Sequence, residues 1–240
     1  MKNKIKAAVS LLLSLLLALG CMGTSAFAAD ITIKELTKST KTGSITVEQN
    51  LNAVEQLGIT GGPVAGVEYT LAQIGSLCEI TYTGGYMTGY AVEQPTAEKL
   101  GIEDAADYTG SYNGKDYCIY TNAATLEALA KEIAKLKTED LQNKFSGSPT
   151  EKTDASGEAK FGTLDYGLYL ILQTDVSGAE YEDEPITLSH LQTPMLVSVP
   201  GKNEEKEVEV DVKTPLGYGE LTKSIVGIGD IDGNWENVED

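Results

Sequence analysis

The sequence contains no arginine: its 18 basic residues are all lysine, set against 36 acidic residues. Without guanidinium forks, bidentate reading of phosphates and guanine edges is missing, and a formal charge of −18 repels a polyanion, so nucleic acid is excluded as a partner. Histidine is nearly absent too. A serine or cysteine triad would have to use His190 in "LSHLQ", and no G-x-S-x-G elbow accompanies it. P-loop, G-x-G-x-x-G and H-E-x-x-H patterns are also missing, so no cofactor, no metal and no enzyme chemistry is implied.

Long apolar runs are limited to one, Ala7 to Leu19, which falls short of the roughly 20 residues that span a bilayer. It follows Lys2, Lys4 and Lys6 and precedes "TSAFAAD", where Ala26 and Ala28 have A-x-A spacing, so residues 1–28 read as a secretory signal peptide cut after Ala28. The segment "LALGC" resembles a lipoprotein box at Cys21 but has Ala18 where leucine is usual, and ordinary cleavage is the favoured reading. Losing three lysines and no acids takes the formal charge from −18 to −21, which suits a solvated extracellular surface.

Two cysteines remain after cleavage, Cys78 in "SLCEITY" and Cys118 in "DYCIYT", each in a β-like apolar stretch. In an exported protein they either pair as a disulfide or stay as buried thiols, and their spacing matches no zinc or redox motif.

What is present is mainly β. Residues 29–43, polar and rich in lysine and threonine, read as a flexible N-terminal tail. "GSITVEQN" alternates Ile45 and Val47 with polar residues, "GVEYTL" puts Val67, Tyr69 and Leu71 on one face, and "CEITYTGGYMTGYAV" reads as two strands about a Gly-Gly turn. Further strands are expected at Ala159–Phe161, Gly167–Gln173, Met195–Val199 and Val208–Val212. Between them, Leu126, Leu129, Ala130, Ile133 and Leu136 recur at helical spacing behind Asn122 as N-cap, which predicts one amphipathic helix over about 123–144. The domain scheme is a β-sandwich over 44–213, a linker over 214–220, and the start of a second, incomplete β domain over 221–240. In that last stretch "DIDGNWENVED" places Asp230, Asp232 and Asn234 at alternate positions of a calcium loop, but Gly233 and Trp235 break the pattern, and an acidic turn between strands is preferred. Glu182 and Glu184 are too weak a signal for a glycosidase pair.

"GVEYTL", then "TDASGEAKFGTLDYGLYLILQTD" and "TPMLVSVPG", together resemble the N-terminal domain of the major backbone pilins of Gram-positive bacteria, with a collagen-adhesin B-type, immunoglobulin-like β-sandwich fold. The resemblance runs from about Gly43 to Glu220 and is most specific over Thr153 to Pro200, and the helix fits an insertion such domains carry. It implies a structural fimbrial subunit, a substrate of a pilus-class sortase, exported to the cell wall and meeting the membrane only in transit. Its partners would be other pilin subunits and, through adhesion, host or glycan ligands.

Domains of this family are often locked by a lysine–asparagine isopeptide bond, which needs a desolvated lysine on the first strand and a proton-shuttling carboxyl on the strand of a Y-L-x-x-E pattern. The matching positions here are Gln49 and Gln173, so the resemblance implies that the first domain has lost this bond. Lys223 in "ELTKSI" resembles the first-strand lysine of the following domain. The lysine joined by sortase lies in a V-x-V-Y-P-K-N-like motif; "VEVDVKTP" occupies that place and puts Lys213 on the lysine, with Lys202 in "PGKN" the runner-up. The bland reading of Lys213 is a solvated strand-end lysine. The chain shows no L-P-x-T-G signal, which leaves a longer protein or a freely secreted relative as the expectation. The rival function is an adhesin module that binds carbohydrate or protein through the tyrosines of "TGGYMTGY" and "YTGSYNGKDY".

Overall fold

The structure, a computed structural model, describes residues 28–53, 60–188, 191–201, 204–214, 228–229 and 235–236. His190, Lys202 and Lys223, the leader up to Phe27, and Asp230, Asp232 and Asn234 of the acidic turn lie outside these residues. In chain order the first elements are β1 (Ala29–Asp30), β2 (Ile33–Lys38), β3 (Thr42–Leu51), β4 (Gly62–Pro63), β5 (Glu68–Tyr82), β6 (Gly85–Glu93) and α1 (Gln94–Leu100). Next come β7 (Tyr108–Tyr112), β8 (Lys115–Tyr120), α2 (Ala123–Ile133), α3 (Thr138–Gln142), β9 (Thr150–Lys152), β10 (Glu158–Asp165) and β11 (Gly167–Asp175). The last are β12 (Glu180–Tyr181), β13 (Glu184–Pro185), β14 (Met195–Val199), β15 (Glu207–Thr214), β16 (Ile228–Gly229) and β17 (Trp235–Glu236). Among the described residues no helix is long and apolar enough to cross a membrane.

The chain divides into two compact units, one of residues 1–39 and 74–133, the other of 40–73 and 134–240. This corrects the expectation of a single sandwich over 44–213: a second core forms within that span and recruits the N-terminal segment.

In the first unit the strand pairings form a path whose two ends, β2 and β1, are joined by the chain between Asp30 and Ile33. β2 pairs with β5, β5 with β6, β6 with β8 and β8 with β7, all antiparallel, and β7 returns to β1 in parallel. The small barrel so formed encloses Ile33, Cys78, Ile80, Ala91 and Ile119, with Ile31, Leu36 and Tyr108 packed against them. The flexible tail expected over 29–43 is therefore a strand segment. Its apolar residues, Ile31, Ile33 and Leu36, are few but supply one wall of a core, and burial of Ile33 together with the pairing of β2 to β5 works against the entropy of ordering a polar segment.

α1 was not expected, yet its ends are marked in the sequence. Pro95 sits in the first turn, where no amide partner is needed, and Gly101 ends the helix in the left-handed region at φ 66°. Asn122 does cap α2, its Oδ1 accepting from Thr125 N–H at 2.8 Å. The helix it caps is shorter than expected. It stops at Ile133, and Lys137, with extended backbone, precedes α3 and a 3-10 turn over Asn143–Phe145. The break serves two cores: Leu129 and Ile133 are buried in the first unit, Leu141 in the second, where Thr138 Oγ1 donates to Gln192 O at 2.6 Å.

The second unit is a sandwich. One sheet has the order β10-β3-β15, with β4 beside β3; the other carries the first half of β5, flanked by β9, and then β11 and β14. β3 pairs antiparallel with β10 and parallel with β15 over eight positions, Ser44↔Glu207 to Leu51↔Thr214. On β3, Ile45, Val47, Gln49 and Leu51 all point into the core, as period-two alternation requires. β11 is buried from Gly167 through Gln173, the signature of a strand covered on both faces. β14 matches the expected bounds, while β10, β11 and β15 run longer than expected. β16 and β17 pair antiparallel.

Candidate functional site

Two polar side chains stand out in the sandwich core: Gln49, fully buried, and Gln173, 1% exposed. They come from opposite sheets, Gln49 from the inner stripe of β3 and Gln173 from β11. Gln173 Nε2 donates to Gln49 Oε1 at 3.0 Å. Tyr69, on the inner face of β5, donates its hydroxyl to the same Gln49 oxygen at 2.5 Å and accepts from Gln173 Nε2 at 3.1 Å. Gln49 Nε2 donates to Asn50 O at 3.2 Å and to Val212 O on β15 at 3.4 Å, and Gln173 Oε1 accepts from Gln192 N–H at 2.8 Å. Every polar atom of the three side chains thus has a partner, the condition under which a buried polar cluster is tolerated. Burial pushes the Tyr69 hydroxyl far up, opposed only in part by its hydrogen bond to Gln173, so it stays protonated as the donor.

Local backbone geometry fixes this cluster. Gly157, at φ 75°, lets the start of β10 lie against Gln49; a Cβ there would meet Gln49 O at 2.7 Å. Its carbonyl accepts from Gln49 N–H at 2.8 Å. Thr153, 4% exposed, clips the entry to β5 by accepting from Val67 N–H at 3.0 Å and donating to Val64 O at 2.8 Å.

Chemically the arrangement polarises one carboxamide carbonyl with two donors, as a catalytic site would, but it supplies no nucleophile. All lysines among the described residues are exposed. Gln49 and Gln173 are visible in the sequence through the resemblance, whereas Tyr69 reads there only as one of an apolar stripe, although a tyrosine in such a stripe brings a hydroxyl that needs a partner.

Lys213 lies at the C-terminal end of β15, exposed, opposite Asn50 of β3. Its Nζ is 3.0 Å from Asp211 Oδ2, and Asp211 Oδ1 accepts from Asn50 Nδ2 at 3.2 Å. The Lys213 bond, then the Asn50 bond, holds the Asp211 carboxyl below the usual carboxylate range. Asp211, Val212 and Thr214 stand where the motif implied by the resemblance has tyrosine, proline and asparagine; Asp211 contacts the lysine, and Val212 is buried at 5% exposure and receives the Gln49 bond.

Of the two alternatives for the cysteines, the structure has the buried thiols. Both thiols are free and buried. Cys78 pairs with Gly89 of β6 and Cys118 with Val92, and since Gly89 and Val92 differ by an odd number of residues, the two sulfurs face opposite sides of the sheet. Burial raises the Cys78 thiol to about 11 and moves Cys118 in the same direction. The two tyrosine-rich hairpins also separate. The β5–β6 turn adjoins Gly85 at the start of β6, whereas β8 meets Glu93 at its far end through Tyr117, and Lys115 binds Glu93 at 2.5 Å. Tyr86, 60% exposed, therefore lies at the opposite end of the barrel from Tyr112.

No protein-family model and no curated protein matches the chain. Among solved structures it is similar to the group B streptococcus pilus 2b backbone protein, with 12% identity, a TM-score of 0.34, and 74% of this chain and 42% of that one covered. It is similar to the major pilin SpaD from Corynebacterium diphtheriae at 18% identity and a TM-score of 0.35, covering 73% and 30%. The SpaB basal pilin from Lactobacillus rhamnosus GG has 13% identity and a TM-score of 0.35, with 73% and 98% covered. The chain thus spans less than half the length of the first two.

Proposed function

We propose that the chain is a structural subunit of a covalently polymerised surface fibre of a Gram-positive bacterium, joined by a pilus-class sortase through Lys213. The observation that carries this reading is the meeting of Gln49 and Gln173 in the core. The pilin resemblance gave these positions, far apart in sequence, to a lysine and a carboxyl that must touch, and they touch. In this reading amide hydrogen bonds occupy the place where the lysine and its neighbouring carboxyl would meet.

Lys213 supports the reading from the other side. A nucleophile handed to an external enzyme has to be accessible yet held still, and Lys213 is exposed at the end of an eight-position ladder whose last turns are tied to the core through Gln49 and Val212. In this scheme the sortase performs the catalysis and the chain supplies an amine. Lys202 remains the runner-up, and Lys223 the proposed donor of an internal bond in the following domain. The rival reading remains an adhesin module that uses the tyrosines of the two hairpins, whose turns lie at opposite ends of β6.

Cell-wall extracts boiled in detergent and probed with antibody to this chain test the proposal. A ladder of multiples, lost in Lys213→Arg and kept in Lys206→Arg, is expected. Monomer alone in the unaltered strain refutes it.

A further inference from the structure

Lys213 is more than a bare surface amine. Its partner Asp211 is itself held, by Asn50 from the neighbouring strand, and Asn50 is the residue directly opposite Lys213 in the ladder. Both strands are anchored beneath this trio, because Gln49, next to Asn50, donates to the carbonyl of Val212, between Asp211 and Lys213. A carboxylate that only balances charge has no need of a second strand to aim it.

We propose that Asp211 is the general base of the joining step, accepting a proton from the Lys213 nitrogen, and that Asn50 is a positioning residue that keeps the carboxylate turned toward it. This rests on Lys213 being the joint. The acyl donor belongs to the class of thioesters. The Lys213 ammonium first loses one proton to solvent, and the neutral nitrogen attacks the carbonyl carbon. In the tetrahedral intermediate that nitrogen still carries one proton too many. It passes to Asp211 and on to the departing thiolate as the C–N bond is completed and the C–S bond breaks, which leaves an amide and a thiol.

The carboxylate offers a base at the moment of bond formation. The other charged groups on the same outward face are Glu207, Glu209 and Glu48, with Glu158, its partner Lys160 and, at the far end, Asp165 on β10. All stay in place in the variants below.

The test treats the chain beginning at Ala29 with a soluble peptide thioester and measures acylation of each lysine by peptide mapping between about pH 8 and about pH 11, a range that brackets the ordinary lysine value. Exposed Lys34 and Lys206 serve as internal references, and circular dichroism reports folding of each variant. On the high-pH plateau Asp211→Asn is expected to slow Lys213 roughly fivefold, a modest figure for general-base assistance at an exposed site. The references should not change, Asp211→Glu should recover most of the rate, and Asn50→Leu should lose part of it. A plateau rate unchanged by Asp211→Asn, or a faster reaction at every pH, overturns the inference and leaves a plain salt bridge. The chemistry is read without any sortase, so its failure is separate from failure of the fibre reading, which is decided by where the subunits are joined.

Discussion

Gln173 Nε2 lies 3.0 Å from Gln49 Oε1 in the interior of the sandwich, across 124 residues of sequence. Neither side chain can form the lysine-based cross-link that the resemblance associates with these positions, yet the pair joins the two sheets and, through Val212, the last strand. The amide cluster is a non-covalent staple, and its energetics are those of buried polar groups: small net gain when complete, large loss when one member is removed.

Replacing Gln173 by glutamate should therefore weaken the fold in a pH-dependent manner. A carboxyl in this buried site has no cation to face, so its folded value rises above the ordinary value of about 4.3. Below that value both folded and unfolded states are protonated and the cost is absent; as pH rises through it the unfolded chain ionises first and stability falls. Gln173→Leu should instead cost about 2–4 kcal/mol at every pH, because Gln192 N–H and Gln49 Oε1 lose partners. Urea titrations at acid and neutral pH separate the two patterns; a Glu variant as stable as the parent at neutral pH would argue against a dry amide site.

Asp107 should govern acid stability of the barrel unit. Burial raises its carboxyl, but bonds from the Thr121 backbone, the Thr125 and Thr121 hydroxyls and the Asn122 amide outweigh that and leave it lowered. Its contribution is thus complete above the ordinary aspartate value of about 3.9 and is lost as pH falls through the lower folded value. Asp107→Ala should cost about 1–2 kcal/mol at neutral pH, a figure reduced for solvent exposure, and should remove this acid dependence. Hydrogen exchange of the Thr121 and Thr125 amides against pH is the measurement.

Much of the sandwich was legible because its strands alternate cleanly or carry unbroken apolar runs: Ile45 and Val47 in β3, Gly167 to Gln173 in β11, Met195 to Val199 in β14. The barrel was not. Its closing segment has isoleucines at 31 and 33 among polar residues, and period-two patterning over so few positions does not distinguish a strand from a tail; the decisive partner, β5, is some forty residues away. The helix break at 134–137 was hidden for a related reason, since helical spacing continues to Leu136 while the two halves answer to different cores. The staple was half legible. Family resemblance pointed to Gln49 and Gln173, but Tyr69 and Asn50 enter only through register, which composition does not encode.

The N-terminal segment should be essential to the barrel. Ile33→Ala should cost roughly 2–4 kcal/mol, as for other buried isoleucines, and a chain starting at Ser39 should lose near-ultraviolet tyrosine ellipticity from the Tyr82 and Tyr108 pair. Full protection of β5 and β7 amides in the shortened chain would show that the barrel does not need residues 29–38.

Both cysteines should stay reduced in the folded chain. Their sulfurs face opposite sides of one sheet, so two thiols are expected to titrate in denaturant under oxidising conditions and neither to react quickly in the folded chain. A mass two hydrogens short, with Cys78 linked to Cys118, would overturn the register described for β6.

Tandem mass spectrometry of digested cell-wall material from the native strain reads at once where covalent bonds are and are not made. A branched peptide at Lys213 is expected, together with unmodified peptides carrying Gln49 and Gln173. A joint at another lysine, or a Gln49 or Gln173 peptide lighter by one ammonia and cross-linked, would contradict this.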